Sequence, residues 1–456
     1  MKVISKINES CKILLGQQAV KTDLCYRLLK FCRIVKYEDK YLLYNNLTKE
    51  MIELTEDEIS LTKQQSYTEN EKTKYLIRNW FLVPINNDDC KLKNQLESLS
   101  KLLNKKDYID RYIILTTTDC NARCFYCYES GIKKFAMDDV TAKKVADFIK
   151  HHSKDRFVKL TWFGGEPLYN YKVIDIICDE LTKNGINYVS KMTTNGYLFD
   201  EELVDKAVAL WNLKRVQITL DGTEQVYNRY KNYIYKADIS PYLKVLDNIK
   251  LLSKEGVFVN LRVNIGIHNY SNICDLVNEL HEKFKGYNNV KIYVSILNDS
   301  NGKFNVKNNY PVLMEKLFEL EDHIDSLGML SVSNLSNNIM TNCCFADDDA
   351  AIGIMPNGKL MKCEHIVEGD CVGDIFSGNI NRQLCDKWKE RVEPIDLCSS
   401  CACYPTCITL KKCIPVNAMV CNLLEKKRAL RMLDKKIIKT YKNLINVSQE
   451  SIKNDF

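Results

Sequence analysis

The sequence lacks a long apolar run. Across its 456 residues no stretch reaches the roughly 18 consecutive apolar residues that cross a bilayer. The first twenty residues also lack an apolar core followed by a small-residue cleavage site, the pattern of an export signal. We therefore expect a cytoplasmic protein with no membrane partner.

A strong charge imbalance is also missing. The 65 Lys and Arg residues nearly balance the 59 Asp and Glu residues, which leaves a net charge of +6. This excess is too small to indicate nucleic acid as a partner. With 45% hydrophobic residues and no internal repeat, the length predicts two or three ordinary packed domains.

Cysteine, in contrast, is abundant, and its 20 residues are unevenly placed. Six are scattered, three lie between positions 120 and 127, and eleven lie between 343 and 421. A disulfide scaffold fits poorly with this length and with the absence of an export signal. Closely spaced thiols in a cytosolic chain favour metal or iron–sulfur ligation.

The middle of the chain alternates strand and helix patterns, which predicts an α/β fold with a parallel sheet. An open barrel and a doubly wound sheet both fit this spacing, and in either case ligands gather where the strands end. The predicted strands are Tyr112–Thr118, Phe157–Phe163, Tyr188–Thr194, Arg215–Leu220, Val257–Ile265 and Val290–Leu297. The predicted helices between them are Asp138–His152, Tyr169–Lys183, Asp200–Trp211, Tyr242–Lys254 and Ser271–Phe284.

Four segments follow from these patterns. Residues 1–105 are expected to form a small α+β domain, with a winged helix as one candidate and a β-hairpin in 36–54 that turns at Asn45 and Asn46. Residues 106–330 hold the alternating pattern, 331–425 hold the cysteine-rich segment, and 426–456 form a basic helical tail.

The first cysteine group directly follows the first predicted strand. Cys120, Cys124 and Cys127 have the spacing Cys-x3-Cys-x2-Cys. A 4Fe-4S cube needs one ligand per iron, so three thiolates leave one iron open. A zinc site would require a fourth thiol or histidine close in sequence, and none is present there.

The segment TTTDCNARCFYCYES, with Tyr126 before the last cysteine, resembles the cluster loop of the radical S-adenosylmethionine (SAM) superfamily. The resemblance implies a partial (β/α)6 barrel in which SAM chelates the open iron and is cleaved to a 5′-deoxyadenosyl radical. By the same resemblance Gly164, Gly165 and Glu166 match the motif that binds the SAM amino group. The other implied SAM contacts are Tyr126, Thr194, Asn195, Thr219, Asp221, Arg262 and Asn264.

The later cysteines resemble the SPASM extension, which binds one or two auxiliary 4Fe-4S clusters. The resemblance implies an outer cluster on Cys398, Cys401, Cys407 and Cys421. It implies an inner cluster on Cys344, Cys363 and Cys413, although Cys413 follows Cys407 after five residues instead of the family's three. The fourth ligand of the inner cluster is not determined. It could be a further cysteine, with Cys343 as the first candidate and Cys371, Cys385 and Cys403 as the others, or the fourth iron could have no protein ligand. Zinc is the alternative metal.

This resemblance predicts a peptide maturase that forms a thioether or another crosslink in a ribosomally made precursor peptide. The N-terminal domain would bind the leader of that peptide as an added strand. A flavodoxin- or ferredoxin-type protein would donate the electron. One alternative is an anaerobic sulfatase-maturating enzyme that makes formylglycine, with Glu364 as its base. An alternative of another class is a non-catalytic iron–sulfur or zinc protein.

Overall fold

The computed structural model describes ten stretches of the chain. They are residues 1–63, 65–103, 105–154, 156–235, 238–297, 306–337, 344–365, 371–390, 394–407 and 421–453. The strands are β1 (Lys2–Ser5), β2 (Cys25–Leu28), β3 (Cys32–Tyr37), β4 (Lys40–Asn45), β5 (Met51–Leu54), β6 (Gln65–Ser66), β7 (Leu82–Pro84), β8 (Arg111–Thr117), β9 (Phe157–Gly164), β10 (Asn187–Thr194), β11 (Leu213–Thr219), β12 (Phe258–Ile265), β13 (Val290–Ile296), β14 (Ala351–Ile354), β15 (Lys359–Met361), β16 (Gly373–Asp374) and β17 (Asn379–Ile380). The α-helices are α1 (Glu9–Leu15), α2 (Glu71–Arg78), α3 (Asp89–Leu103), α4 (Asp139–His152), α5 (Tyr171–Lys183), α6 (Glu201–Ala209), α7 (Glu224–Lys231), α8 (Pro241–Lys254), α9 (Tyr270–Lys283), α10 (Val306–Ser326), α11 (Arg382–Asp386) and α12 (Leu423–Lys453).

A large mixed sheet forms the centre of the molecule, and its strand order is β13-β12-β11-β10-β9-β8-β14-β15-β16-β17. Strands β8 to β13 are parallel and lie in chain order, so every crossover steps in the same direction. A doubly wound sheet would reverse direction at a switch point. Between the two architectures that the spacing left open, the strand order therefore favours the open barrel. The six predicted strands correspond to β8–β13, with ends that differ by a few residues.

The chain after residue 350 joins this sheet. Strand β14 pairs in parallel with β8, and β15, β16 and β17 continue the sheet as antiparallel strands. Since β15 is antiparallel to β14, the chain leaves Met361 at the level of Ile113 and runs towards the start of β8, so Cys363 lies beside the barrel strand whose other end leads into the first cysteine group.

The predicted hairpin in 36–54 is part of a longer antiparallel meander. Strands β4 and β5 pair around the loop 46–50, as expected, but β3 also pairs with β4 through a tight turn at Glu38 and Asp39. The side chain of Asn45 explains the first turn, since its Oδ1 accepts hydrogen bonds from the backbone of Leu47 at 3.0 Å and Thr48 at 3.2 Å. The four-stranded sheet has the order β1-β5-β4-β3, beside a three-stranded sheet β6-β2-β7.

The N-terminal sheets share a hydrophobic core with the last helix. Leu433, Ile437 and Tyr441 are spaced four residues apart on α12, so they lie on one helix face, and all three are buried against this core. Arg33 adds a two-pronged ion pair with Asp434, at 2.6 and 2.7 Å. The basic tail is therefore docked along one face. Among the described residues, none of the helices combines the length and apolar character needed to cross a bilayer.

We expect Ile437→Ala to lower the free energy of unfolding by about 2 to 5 kcal/mol, because truncation leaves a cavity in a fully buried site. Leu444→Ala is the matched control on the same helix, since Leu444 is 38% exposed and should cost less than about 1 kcal/mol. Urea denaturation followed by circular dichroism measures both. Equal effects of the two substitutions would contradict the docking of α12.

Candidate functional site

The three cysteines of the first group lie around one cavity of about 550 Å³. They belong to the loop between β8 and α4, which we call the cysteine loop (residues 118–138). The cavity also reaches residues at the ends of β9, β10, β11 and β12. The site therefore lies where the parallel strands end, as the strand pattern predicts.

Short hydrogen bonds hold the cysteine loop in shape. The Asp119 carboxylate accepts from the backbone N–H of Cys120 at 2.8 Å, and the Cys127 N–H donates to the carbonyl of Cys124 at 3.1 Å. The Cys120 sulfur accepts from the Ala122 N–H at 3.3 Å and from the Asn195 amide at 3.8 Å. Donors aimed at sulfur are the usual surroundings of an iron–sulfur ligand, because they stabilise negative charge on sulfur.

Burial raises the pKa of the Cys120 thiol to about 12, and it also raises the pKa values of Cys124 and Cys127. Metal binding would have to displace these protons. Among the described residues, no group of three or more cysteine, histidine or acidic side chains is close enough together to hold a metal ion. The chemistry of the site nevertheless fits a cluster: three thiols face one cavity, and the buried Nδ2 of Asn121 in the same loop has no hydrogen-bond partner among the described residues.

The two glycines at the end of β9 are required by the protein's own backbone. A Cβ on Gly164 would stand 2.2 Å from the Thr117 carbonyl oxygen, and Gly164 also has a φ of +125°. A Cβ on Gly165 would stand 2.3 Å from the Asp119 carbonyl oxygen. The sequence suggested that these glycines allow a ligand to approach. In the structure they allow β9 to pack directly on the start of the cysteine loop.

Glu166 follows these glycines and is completely buried. Its carboxylate accepts hydrogen bonds from the Thr194 hydroxyl at 2.7 Å, the Asn195 N–H at 2.7 Å and the Leu168 N–H at 3.1 Å. Burial raises the pKa of Glu166 to about 7, although these hydrogen bonds pull it down. Thr194 and Asn195, predicted to contact a ribose, thus also hold the carboxylate, and both line the cavity.

A second buried network ties the cysteine loop to β11 and β12. The Asp221 carboxylate accepts from the Tyr126 hydroxyl and from the backbone and side-chain N–H groups of Asn264, at 3.1 and 3.0 Å. Lys231 completes the network: its Nζ lies 2.8 Å from the Tyr126 hydroxyl and 3.4 Å from the Asp221 carboxylate. Asp221 is thus an anchor for Tyr126 and Asn264.

Sequence reasoning missed Lys231. Its side chain is buried, and its backbone carbonyl accepts from the Arg123 N–H at 2.9 Å. Burial opposes the charge, but interactions with Tyr126, Asp221 and Cys124 outweigh it and hold the pKa of Lys231 above its usual value. A lone lysine at the end of a helix carries no sequence signal that would separate it from a surface residue.

Glu129 was missed as well. It lies two residues after Cys127 and lines the cavity, and its buried Oε1 has no hydrogen-bond partner among the described residues. Burial raises the pKa of Glu129 to about 7, and a hydrogen bond with Tyr128 opposes the shift. Its position next to the last cysteine was the one available clue.

The predicted SAM contacts Thr219, Arg262 and Asn264 line the cavity, whereas Glu166 and Asp221 do not. Thr219 and Arg262 pair across β11 and β12. The Arg262 Nε donates to the Asn264 side-chain oxygen at 2.9 Å, and Arg262 forms no salt bridge with any described residue.

Glu364 reaches the same cavity from the C-terminal part of the chain. It follows β15 and Cys363, and it lines the cavity together with His365. The His365 ring lies 4.7 Å from the ring of Tyr128, between centroids, in an edge-to-face arrangement. The structure therefore brings the candidate base and the cysteine loop together.

The predicted ligands of the outer auxiliary cluster are neighbours in space. Burial raises the pKa of Cys421, and the nearby thiols of Cys407, Cys398 and Cys401 raise it further. Cys403 lies in the same group, where its hydrogen bond lowers the pKa of Cys401. These thiols lie beside the N-terminal region, since the Asn46 amide donates to the Ala402 carbonyl at 2.8 Å.

The inner set is only partly described. Cys344 packs against Cys363 in a small cluster that also contains Trp388. Cys371 packs separately, beside Met355 and Met361. Two of the ligands implied by the resemblance, Cys343 and Cys413, lie outside the described residues.

Comparison with known proteins finds a family model that matches the central segment. Residues 114–280 match the family model of the Radical SAM superfamily. An uncharacterized protein of Methanocaldococcus jannaschii is 33% identical over 130 residues, which is 28% of this chain and 44% of that protein. GTP 3′,8-cyclase of Clostridium perfringens is 28% identical over 286 residues, or 56% of this chain and 81% of that protein.

Solved structures agree on the fold. The AdoMet complex of anSMEcpe has a TM-score of 0.56 at 15% identity, covering 73% of this chain and 99% of that chain. SuiB of Streptococcus suis bound to S-adenosylmethionine has a TM-score of 0.51 at 16% identity, covering 86% of this chain and 95% of that chain. At these identities the likeness concerns the mixed α/β fold with its large central sheet. The match to the Radical SAM superfamily model spans most of the strands and the whole cysteine loop around the cavity, so the part of the chain that forms the site is similar to that superfamily.

Proposed function

We propose that this chain is a radical SAM peptide maturase that forms a thioether or another crosslink in a ribosomally made precursor peptide. The observation that carries the proposal is the common cavity of Cys120, Cys124, Cys127 and Glu364. The three thiols would hold a 4Fe-4S cluster with one open iron. With SAM bound there, such a cluster would supply the electron for reductive cleavage of SAM, the chemistry that leads to hydrogen abstraction from carbon.

The chain's own residues orient the ligands. Tyr126 is held by Asp221 and Lys231, so the middle of the cysteine loop cannot move independently of β11 and β12. Glu166 is buried and does not itself line the cavity, but its neighbours Gly165 and Asn195 do, and we propose that its carboxylate attracts the ammonium of a bound SAM. Asn195 links that carboxylate to the Cys120 sulfur. Preorganised polar groups of this kind reduce the cost of ordering on binding.

Support for a peptide substrate is of two kinds. The structure of anSMEcpe with AdoMet and the Cp18Cys peptide has a TM-score of 0.55 with this chain at 15% identity, so a related fold accommodates a peptide. In addition, the outer cysteine group packs against the four-stranded N-terminal sheet, whose edge strands are β1 and β3. A leader added to such an edge would enter beside the auxiliary cysteines, which we propose hold auxiliary 4Fe-4S clusters. A flavodoxin- or ferredoxin-type donor belongs to the same proposal.

Formylglycine formation is the second candidate, and the position of Glu364 at the cavity favours it. A carboxylate there could take a proton from an oxidised Cys or Ser side chain. The two candidates differ in product, because a crosslink joins two side chains whereas formylglycine is an aldehyde.

The function is tested by co-expressing the enzyme with a candidate cysteine-rich peptide and measuring the peptide mass. We expect a loss of two hydrogen atoms and a crosslinked fragment in tandem mass spectra. Cys120→Ala, Cys124→Ala and Cys127→Ala should each abolish this product, 5′-deoxyadenosine formation and the absorbance of the SAM-binding cluster. Cys274→Ala, in a half-buried cysteine outside both groups, should change none of them. A product that survives loss of the triplet would refute the proposal.

Glu166→Gln should weaken SAM binding by roughly ten- to hundredfold, because it removes a charged partner of the SAM ammonium. Since the pKa of Glu166 is raised to about 7, the wild-type carboxyl is largely protonated below that pH. SAM affinity should therefore fall as the pH drops below about 7, and the variant should lose this dependence. Calorimetry on reconstituted protein measures both, with the cluster spectrum as the control for loading.

Glu364→Gln separates the two candidate functions. If the product is formylglycine, the substitution should stop aldehyde formation, detected with a hydrazide reagent, while uncoupled cleavage of SAM continues. If the product is a crosslink that needs no base at this position, the crosslinked fragment should persist. Glu390→Gln serves as a control on a carboxylate outside the cavity lining.

A further inference from the structure

Two cations stand side by side on the inner face of the barrel. Lys191 on β10 pairs with Arg215 on β11, and both side chains line the cavity. The register of β10 and β11 shifts just before this pair, since Ser190 pairs with Leu213 and Lys191 with Arg215. The bulge brings Arg215 onto the inner face beside Lys191. We call this pair the cationic floor.

Within the described parts of the chain, the cationic floor has no countercharge in contact. Neither Lys191 nor Arg215 forms a salt bridge with any described residue, and the Arg215 guanidinium stacks on the Phe258 ring at 4.6 Å. Like charges directly opposite each other across two strands are destabilising. Partial removal from water lowers the pKa of Lys191, Arg215 lowers it further, and Glu364 opposes the shift. The fold thus holds two mutually repelling cations at a site that a bound anion would stabilise.

The surrounding charges favour an anion of low charge. Arg262 adds a third cation to the same cavity, whereas Lys231 is already neutralised by Asp221. Glu364 also lines the cavity and would repel a polyanion. One carboxylate matches this balance, because guanidinium binds carboxylate in a two-pronged geometry and Lys191 can supply a third donor.

We propose that the cationic floor binds the carboxylate of an Asp or Glu side chain in the peptide being modified. This inference rests on the proposed function and names the substrate residue that its cavity takes. Lys191 lies three residues before Thr194, which is about 10 Å along the strand. If its acidic side chain is bound on the cationic floor, the peptide would therefore place the neighbouring residues near the cysteine loop.

The test uses the full chain, reconstituted anaerobically, and three probes: blocked glutamate (N-acetyl-glutamate amide), the matching blocked glutamine, and GTP. Ligand-observed NMR measures binding in the millimolar range. We expect blocked glutamate to bind at least tenfold more tightly than blocked glutamine. Lys191→Gln and Arg215→Gln should each remove this difference, and Lys172→Gln, on the exposed side of α5, should preserve it.

Three results would overturn the inference. The first is equal or undetectable binding of blocked glutamate and blocked glutamine, and the second is a preference for glutamate that survives Lys191→Gln and Arg215→Gln. The third is that these two variants lose only the binding of GTP. The last would assign the floor to a nucleotide phosphate. Formation of 5′-deoxyadenosine without peptide is measured in parallel. If wild-type protein makes none, the proposed function fails; if it does and the glutamate preference is absent, only the cationic floor is refuted.

Discussion

The close approach of two backbones at the end of β9 is the constraint on which the site depends. The N–H groups of Gly165 and Glu166 donate to the carbonyls of Thr117 and Asp119, at 3.0 and 2.9 Å. No side chain larger than hydrogen fits at Gly164 or Gly165, so the cysteine loop must begin against the sheet. This contact also fixes the position of the buried Glu166 carboxylate. The carboxylate in turn holds the turn that carries Asn195, because it accepts a hydrogen bond from the Asn195 N–H.

Charge burial is the second constraint. Taking Lys231 and Asp221 out of water costs several kcal/mol per ion unless each finds a partner. The two ions meet each other and share Tyr126, so the cost is offset only while the cysteine loop stays in place. Moving Tyr126 would leave a buried charge poorly paired. The network therefore adds rigidity to the cysteine loop.

The local patterns were readable from the sequence, and the long-range ones were not. Strands β8–β13 were visible because each alternates with an amphipathic helix, and Cys120, Cys124 and Cys127 were visible because their spacing is local. The strand order that favours the open barrel depends on which strands pair, and the spacing of the strands does not reveal this. The pairing of β14 with β8 and the docking of α12 depend on contacts across hundreds of residues. For the same reason the sequence did not indicate that Lys231 and Lys191 belong to the site. A lysine's role follows from what surrounds it, and its own sequence neighbours do not reveal that.

The pairing of β14 with β8 connects the C-terminal part of the chain to the cavity. It adds the C-terminal segment to the barrel at the strand that carries the cysteine loop, so Glu364 joins a cavity whose other walls come from β9 to β12. The cavity then has thiols at the strand ends, the cations Lys191, Arg215 and Arg262 on its inner face, and the acid Glu364 contributed from outside the barrel. A substrate group near the loop is thereby surrounded by residues from both halves of the chain. Any change that separates β14 from β8 would remove Glu364 from the cavity while leaving the cysteine loop on its own strand, since that loop depends on β9 and α7 instead.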